Sequence, residues 1–423
     1  MVAIVGGNGF GLLNGSAGTL GQNGLFGNAL FGTTKEKAFL NVANGNLTLQ
    51  NADGFIANTG IDVALTRTYN SLGSFSSGFG RQWTDGLAEL SGLPVNSDNA
   101  ANLVGTIITR TGADGSIARF TYDAQRGAYS STDGGGAYQT VRYDRSLRQW
   151  IWTGERDDRN GVHERYDTAG RLVAAADRAG VRISYTYDAN NRLATIVNGS
   201  DRTTLTYTTN ADGGTTIAIG QSLSGGSATI LTSYTLDARG RLSSVHTAGV
   251  GAGYRVSYRY DGDSERISSV SQSDGSTLSI AYDGQGRVAR LVEHDNSGVP
   301  DRSTTLTYVA NADGGVTTTV EDGIGQRTVY VSDAQGRLAS VSTPVAGGPT
   351  VKVSYAYNQR DDVIAVTDGS GRTTRYDYDS QGNRIAEYHA DGSIILRTYA
   401  SYDAARPGVQ FGNQLLTESR IPA

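Results

Sequence analysis

One short motif recurs along most of the chain and sets the size of its structural unit. In full form it runs Tyr-Asp, two small or polar residues, Gly, Arg and an apolar residue, as in Tyr166–Leu172 and Tyr282–Val288. Asp144, Asp167 and Asp188 follow one another at spacings of 23 and 21 residues. A period in the twenties indicates stacked units that are stable only beside their neighbours. The repeat therefore excludes a fold built around one compact globular core.

Each unit is predicted to be one β-hairpin. Ahead of the motif, apolar and polar residues alternate, as in Tyr254–Tyr260, which is the period of a strand with one apolar face. The aspartate can accept hydrogen bonds from N–H groups of the turn, and the glycine supplies the positive φ of a turn closed by a bulge. Asn191 replaces this glycine in one copy, and asparagine is the next-best residue for that backbone region.

The turn residues are predicted to have structural rather than chemical roles. The copy at Tyr378 is interpreted as one residue longer before its arginine, Arg384. The turn arginines are expected to lie along the sheet and to pair with aspartates of neighbouring repeats, each exposed pair adding about 0–1 kcal/mol. The residues assigned to the repeat turns are Tyr166, Asp167, Gly170, Arg171, Tyr187, Asp188, Asn191, Arg192, Asp237, Gly240, Arg241, Tyr282, Asp283, Gly286, Arg287, Asp333, Gly336, Arg337, Tyr378, Asp379 and Gly382.

Composition excludes several classes of protein. The chain has no cysteine, which excludes a disulfide scaffold, a cysteine-ligated zinc site and a thiol enzyme. A net charge of -5 argues against general nucleic-acid binding, and 23 tyrosines are too many for a highly charged disordered chain. No run of about 18 apolar residues occurs, so no membrane-spanning helix is expected. The glycine-rich start lacks the helical period and the acidic residue of a dinucleotide site, and residues 1–34 are predicted to be an irregular lead-in.

Residues that could carry chemistry are scattered along the chain. His163, His246, His294 and His389 have no metal-binding spacing, so surface or turn positions are expected. Asp261–Glu265 imitates the start of a calcium loop but lacks the later ligands, which favours a long hairpin turn over weak calcium binding. No serine lies in a nucleophile elbow. We therefore assign no catalytic, cofactor-binding or metal residues, expect no cofactor, and predict that the chain is not an enzyme.

Two tryptophans offer the best candidate for a ligand platform. Trp150 and Trp152 alternate on one predicted strand, so both rings lie on the same face. The favoured interpretation is that this face packs against the sheet or the N-terminal module. The alternative is a stacking platform for a sugar or a peptide.

The Tyr-Asp hairpins over residues 118–405 closely resemble the YD repeats of the Rhs family, which includes the C components of bacterial Tc toxins and the shell of teneurins. Upstream, Asn41–Gln50, Leu65–Ser71 and Gly78–Trp83 look like the module that precedes Rhs repeats in bacterial proteins. The resemblance implies hairpins that wind into a spiral, single-layered β-sheet closing as a hollow shell. Such shells commonly enclose a toxic C-terminal domain and can carry a self-cleaving protease core. No Asp-Pro-rich core signature or toxin domain is recognised here, so either activity would lie outside this chain.

The sequence thus predicts an all-β shell that is open or incomplete at its C-terminus. Its parts are a glycine- and asparagine-rich lead-in over 1–34, a β-rich module over 35–117, the repeat shell over 118–405, and a tail or further repeat over 406–423. The chain is expected to be either the N-terminal part of a longer polypeptide or a short family member with an open end.

The predicted function is structural. The chain would encapsulate or scaffold a protein cargo, or form part of a secreted or cell-surface bacterial assembly of the polymorphic-toxin type. The alternative is a surface adhesin or glycan-binding module that uses aromatic rows of the sheet. Expected partners are the cargo or further repeats of the same polypeptide, a cell-surface glycan in the alternative, and a second chain at an exposed edge strand.

Overall fold

The computed structural model describes most of the chain. The described residues are 2–7, 9–12, 30–31, 36–56, 63–95, 103–131, 134–154, 163–176, 182–223, 225–248, 253–296, 298–345, 348–380, 382–400 and 415–423. Residues 13–29 of the predicted lead-in and 406–414 of the predicted tail therefore lie outside the described residues. The described residues form no α-helix, and therefore no helix that is long and apolar enough to cross a membrane. The predicted all-β fold is confirmed.

The first strands form a small sheet of their own. Its spatial order is β1-β3-β4-β5-β8, with β2 also paired to β3, and β6 and β7 form a separate two-stranded ribbon. The bounds are β1 Ala3–Val5, β2 Leu30–Phe31, β3 Glu36–Asn41, β4 Leu47–Ile56, β5 Val63–Asn70, β6 Ser76–Ser77, β7 Gly80–Arg81 and β8 Trp83–Thr84.

The irregular lead-in predicted for residues 1–34 is wrong at its start. Ala3–Val5 is a buried strand that runs parallel to β3, with Ala3 opposite Phe39. These uncharged residues supply apolar side chains to a sheet edge, and that burial outweighs the tendency of the adjoining glycines to stay irregular.

From Glu89 onward the described residues form one continuous antiparallel sheet of 28 strands, β9 to β36, in which each strand pairs with the next. Among the described residues no register joins β36 to β9, so the sheet is open. It begins at Glu89, ahead of the predicted repeat boundary at residue 118, and its last strand lies within the predicted tail. The first half comprises β9 Glu89–Ser91, β10 Ile107–Thr111, β11 Ile117–Asp123, β12 Ala128–Ser130, β13 Thr140–Asp144, β14 Gln149–Thr153, β15 His163–Tyr166, β16 Leu172–Ala176, β17 Arg182–Tyr187, β18 Leu193–Asn198, β19 Asp201–Thr209, β20 Thr215–Ser222, β21 Thr229–Leu236 and β22 Leu242–Thr247.

The second half continues the same alternation of hairpins. A single-turn 3-10 helix, Gly134–Gly136, lies between β12 and β13 and is the only helical element among the described residues. The remaining strands are β23 Tyr254–Tyr260, β24 Ile267–Gln272, β25 Thr277–Tyr282, β26 Val288–His294, β27 Arg302–Ala310, β28 Val316–Asp322, β29 Arg327–Ser332, β30 Leu338–Thr343, β31 Val351–Tyr357, β32 Val363–Thr367, β33 Thr373–Tyr378, β34 Arg384–Tyr388, β35 Ile394–Tyr399 and β36 Leu415–Ile421.

The turns of this sheet lie along two opposite sides, each formed by the ends of the strands and not by an edge strand. Because consecutive strands are antiparallel, the Tyr-Asp turns that the structure describes lie along one side, the motif edge, and the described connecting turns lie along the other, the return edge. At the motif edge the register shifts by a bulge just before the tyrosine, as between Thr186 and Tyr187 or between Ala281 and Tyr282. The bulge increases the local twist of each hairpin and so favours a curved sheet.

The start of the sheet rolls up on itself. Leu90 on β9 donates its N–H to the carbonyl of Gly170, 2.9 Å away in the turn before β16. The backbones of Glu89 and Arg171 form an isolated antiparallel β-bridge beside it. The eight strands β9 to β16 therefore curl around a buried core that includes Phe120, Tyr129, Trp150 and Tyr166. This contact covers the first edge strand, which would otherwise be open to pairing with another chain.

Candidate functional site

Each motif turn is closed by its own aspartate. In the turn after β25, the Oδ1 atom of Asp283 accepts hydrogen bonds from the N–H groups of Gln285 and Arg287, both at 2.9 Å. Its Oδ2 atom accepts one from Nε of Arg287 at 2.7 Å. Burial alone would raise the pKa of Asp283, but these hydrogen bonds hold it below its usual range. The same arrangement recurs at Asp167, Asp188, Asp237 and Asp333.

The glycine position of these turns has a positive φ, 80° at Gly286 and 62° at Asn191. The predicted pairing of turn arginines with neighbouring aspartates is wrong for the motif as a whole. The arginine is held by the aspartate four residues before it, because the tight turn places the guanidinium beside that carboxylate. Some motif arginines also reach the neighbouring turn. Arg337 pairs there with the carboxylate of Asp361 at 3.2 Å. Arg171 donates to the side-chain oxygen of Asn191, and Arg241 donates to the carbonyls of Gly262 and Ser264.

The arginine and the tyrosine join each repeat to the next. The guanidinium carbon of Arg287 lies 4.4 Å from the ring centre of Tyr308, and the Tyr308 hydroxyl donates to the carbonyl of Val288 at 2.7 Å. Equivalent stacks join Arg171 to Tyr187, Arg192 to Tyr207, Arg241 to Tyr260 and Arg337 to Tyr357. One seven-residue motif thus closes its own turn and attaches the neighbouring hairpin.

The prediction that the copy at Tyr378 is one residue longer before its arginine is wrong. Asn383, not Arg384, takes the position of the motif arginine, since its N–H and side-chain amide both donate to Asp379 at 2.9 Å. Arg384 pairs across the strands with Tyr378, the position that an apolar residue fills in other copies. The spacing is therefore unchanged and the side-chain chemistry differs.

Replacing Tyr357 with phenylalanine should lower the free energy of unfolding by about 1 kcal/mol, because the Leu338 carbonyl loses the hydroxyl donor at 2.8 Å. Tyr355→Phe on the same strand and face is the matched control and should change stability by less than about 0.5 kcal/mol. Urea denaturation of both variants measures the difference. Equal losses would show that the hydroxyl contact does not stabilise the repeat.

The N-terminal sheet packs on the face of the large sheet that carries the motif tyrosines, here called the inner face. Phe79 stacks on Tyr234 with ring centres 4.5 Å apart, and Trp83 meets Tyr258 edge-on at 5.2 Å. The Tyr69 hydroxyl accepts the N–H of Ile267 at 2.9 Å. One buried cluster joins this sheet to strands β17 to β30. Here the tyrosine row packs into a core that the two sheets share.

A charged group lies in the middle of this apolar contact. Arg67 on β5 is completely buried, forms a close ion pair with Asp53, and lies 3.7 Å from Glu36. The large sheet supplies the remaining partners: Tyr234 donates to Asp53 and Tyr258 donates to Glu36, both at 2.8 Å. Burial raises the pKa of Glu36 although Arg67 opposes that rise.

This cluster was missed in the sequence, although a signal for it was present. Leu65, Arg67 and Tyr69 alternate on one face of a strand, so an arginine stands in line with residues that pack into the core. A charge on an apolar face predicts a buried partner, but no local pattern identifies the partner.

Asp85, just after β8, is a second missed carboxylate. Burial raises its pKa from 3.8 to about 6, although a hydrogen bond from the N–H of Leu87 favours the charged form and opposes this rise. Burial raises the pKa values of Tyr187 and Tyr207, and the negative charge of Asp85 is the second-largest cause of the rise. The position is therefore better suited to a neutral side chain at neutral pH.

Asp85→Asn should raise the free energy of unfolding at pH 7.5 by about 1–3 kcal/mol and leave it nearly unchanged at pH 4. The folded carboxyl binds its proton more tightly than the unfolded one. Its stabilising contribution is therefore present below the unfolded pKa of 3.8 and lost as pH rises through about 6. Urea denaturation at the two pH values measures the effect, and the same difference at both would contradict the assignment.

The predicted ligand platform is occupied by the protein itself. Trp150 is buried against Tyr129 and Tyr143. Trp152 is covered on one face by the guanidinium of Arg110 at 4.0 Å, and its indole N–H donates to Gln139 at 3.1 Å. This placement agrees with the packing interpretation and gives the glycan-binding alternative no support from these two rings.

The residues considered for metal binding are not brought together. The four histidines lie on different strands or turns, and His294 pairs with Asp301 at 2.7 Å. In the calcium-like loop, Asp263 pairs with Arg239 and Glu265 lies 3.7 Å from Arg81. In the part of the chain that the structure describes, no three potential metal ligands cluster.

The inner face changes character near the end of the sheet. At positions where earlier hairpins place Leu242 and Val245, the hairpin of β33 and β34 places Arg384 and Glu387. Glu387 lies 3.3 Å from Arg397 on β35, and Arg397 lies 2.9 Å from Glu418 on β36. We call this the charged row: Arg384, Glu387, Arg397 and Glu418.

The RHS Repeat family matches residues 166–204 and 357–394, and a domain of unknown function (DUF6531) matches residues 39–91. Comparison with the curated proteins gives no match.

Solved structures give distant likenesses. TcdB2-TccC3 without its hypervariable C-terminal region is 13% identical over 70% of this chain, with a TM-score of 0.31. The Photorhabdus luminescens Tc holotoxin pore is 12% identical over 85%, with a TM-score of 0.18. The chain spans only 17% and 24% of these two chains. A porin-like protein from Bacteroides uniformis is 12% identical over 53% of this chain and 97% of its own, with a TM-score of 0.18. Likenesses this weak carry no argument, and the assignment of the family rests on the repeats.

Proposed function

The chain belongs to the Rhs/YD-repeat family, and from that premise we propose that it is a non-enzymatic wall segment forming the filled, closed end of a protein-enclosing shell. Its partners would be a protein cargo and further repeats of the same polypeptide, in a secreted or surface assembly. The N-terminal sheet acts as a permanent plug for this end. The compartment for cargo begins where the plug stops.

The change along the inner face carries the proposal. From β17 to β30 the inner face is mostly apolar and is covered by the chain's own N-terminal sheet. Covering the charged row with another apolar plug would remove several ions from water, at a cost of several kcal/mol per ion that apolar contacts do not recover. The charged row therefore suits a wet compartment or a polar cargo.

Neighbouring positions on β36 provide the test. Glu418 lies on the inner face opposite Arg397, and Ser419 points to the other face opposite Leu396. A photo-crosslinking residue at position 418, in the protein as produced by its native cell, should capture a protein cargo or a distant part of the same polypeptide. The same residue at position 419 should not. Equal capture at both positions, or capture at 419 alone, would refute the enclosure.

A further inference from the structure

One motif turn departs from the repeat at its two most constrained positions. In the turn Asn358–Asp362, Asp361 stands where other copies have glycine and Asp362 stands where they have arginine. Asp361 keeps the backbone shape of the motif, with φ of 63°, although an aspartate is less stable there than glycine. Asp362 is nearly fully buried and accepts from the amide of Asn358 at 2.9 Å. This turn therefore contains backbone strain at Asp361 and a buried carboxylate at Asp362, which a turn with the usual glycine and arginine would not contain.

The partner of Asp362 lies in a segment more than 200 residues earlier, whereas the carboxylate of Asp361 pairs with Arg337 at 3.2 Å. The Tyr138 hydroxyl donates to Asp362 at 2.8 Å, across 224 residues of sequence. Arg360 lies over the Tyr138 ring with its guanidinium carbon 5.1 Å from the centre, and its Nη1 is 3.4 Å from the same hydroxyl. Tyr138 is itself held at φ of 71°. Gly134 adds a main-chain bond to the Gln359 carbonyl at 3.3 Å.

The two segments belong to opposite edges of the sheet. Gly134–Tyr138 connects β12 to β13 at the return edge, whereas Asn358–Asp362 connects β31 to β32 at the motif edge. Contact between opposite edges of one continuous sheet requires that the sheet complete a winding between them. The contact therefore lies on the seam between successive windings.

We propose that the turn Asn358–Asp362 is a specialised latch whose binding site is the Gly134–Tyr138 segment, and that it fixes the second winding of the wall against the first. The consensus arginine at position 362 would place a second guanidinium beside Arg360 and leave the Tyr138 hydroxyl without its carboxylate acceptor. The latch is thus recognisable in the sequence as the copy that gives up glycine and arginine. It does not depend on the proposed enclosure of cargo and is tested separately.

Engineered disulfides can test the latch because the chain contains no cysteine. A Cβ atom at position 134 would lie 3.5 Å from Oδ2 of Asp361. Gly134→Cys with Asp361→Cys should therefore form an intramolecular disulfide under mild oxidation. Gly127→Cys with Asp361→Cys is the matched control, since Gly127 has nearly the same φ, 61° against 63°, and no atom within 4 Å of the added Cβ. Linkage no faster than in this control would overturn the proposal.

Adding Asp362→Arg to the Gly134→Cys, Asp361→Cys pair should slow linkage at least tenfold. Arginine is the residue that the turn consensus prefers, so the hairpin itself should remain folded, which hydrogen exchange of the β31–β32 amides would verify. Tyr138→Phe should slow linkage less, because the ring stack with Arg360 remains. Unchanged linkage in the Asp362→Arg variant would show that the two windings meet without the latch.

Discussion

Replacing Arg67 with methionine should lower the free energy of unfolding by about 3–5 kcal/mol, the typical loss when one partner is removed from a buried ion pair. The substitution leaves Asp53 and Glu36 buried beside each other without a positive charge. Tyr234 and Tyr258 can still donate to these carboxylates, but neutral donors do not replace the guanidinium charge. Because the cluster joins the N-terminal sheet to the large sheet, the contact between the two sheets should weaken first. Urea denaturation gives the size of the loss, and hydrogen exchange on β3 to β5 gives its location.

The matched control is Arg81→Met. Arg81 makes the same kind of pair with Glu265 at 3.7 Å, but its side chain is 69% exposed, so its loss should cost no more than about 1 kcal/mol. The cost of Arg67→Met should also be smaller at pH 5 than at pH 8. Without Arg67, which opposes the rise, burial raises the pKa of Glu36 further, and the stabilising proton is present at low pH and lost as pH rises. Equal losses for Arg67→Met and Arg81→Met would show that burial does not govern the cluster.

Gly170→Ala should cost about 3–4 kcal/mol, whereas Gly240→Ala at the same motif position should cost about 1 kcal/mol. Both glycines have positive φ, 90° and 77°, so both variants carry comparable backbone strain. They differ in their surroundings. A Cβ atom at position 170 would overlap the carbonyl oxygen of Leu90, whereas one at 240 meets nothing within 4 Å.

The extra loss at position 170 has a definite location. The N–H of Leu90 bonds to the carbonyl of Gly170 where the first eight strands roll up, so the overlap must push β9 away from the turn before β16. The exposed edge strand should then exchange its amide hydrogens faster and promote self-association. Equal melting temperatures for the two variants would mean that the rolled start of the sheet adds little stability.

Local chemistry explains why the repeat unit could be predicted. The seven residues from Tyr282 to Val288 contain the aspartate that closes the turn, the glycine with positive φ, and the arginine that the aspartate holds. All of these interactions span four residues or fewer. Prediction from local sequence failed where one pattern is compatible with two different arrangements. Arg287 could pair with its own aspartate or a neighbouring one, and Val2–Val5 could be a strand or a glycine-rich lead-in.

The alternation and turn chemistry of the sequence by themselves determined the β-hairpin, its length and its backbone conformation, because each depends on neighbours within a few residues. Only the tertiary structure decided that Arg67 faces Tyr234 and Tyr258, and that Tyr138 meets Asp362. Those contacts depend on the curvature that accumulates over many strands, a sum of small twists that no single repeat contains. The inner face was thus predictable as apolar, but what fills it depends on how far the sheet has wound.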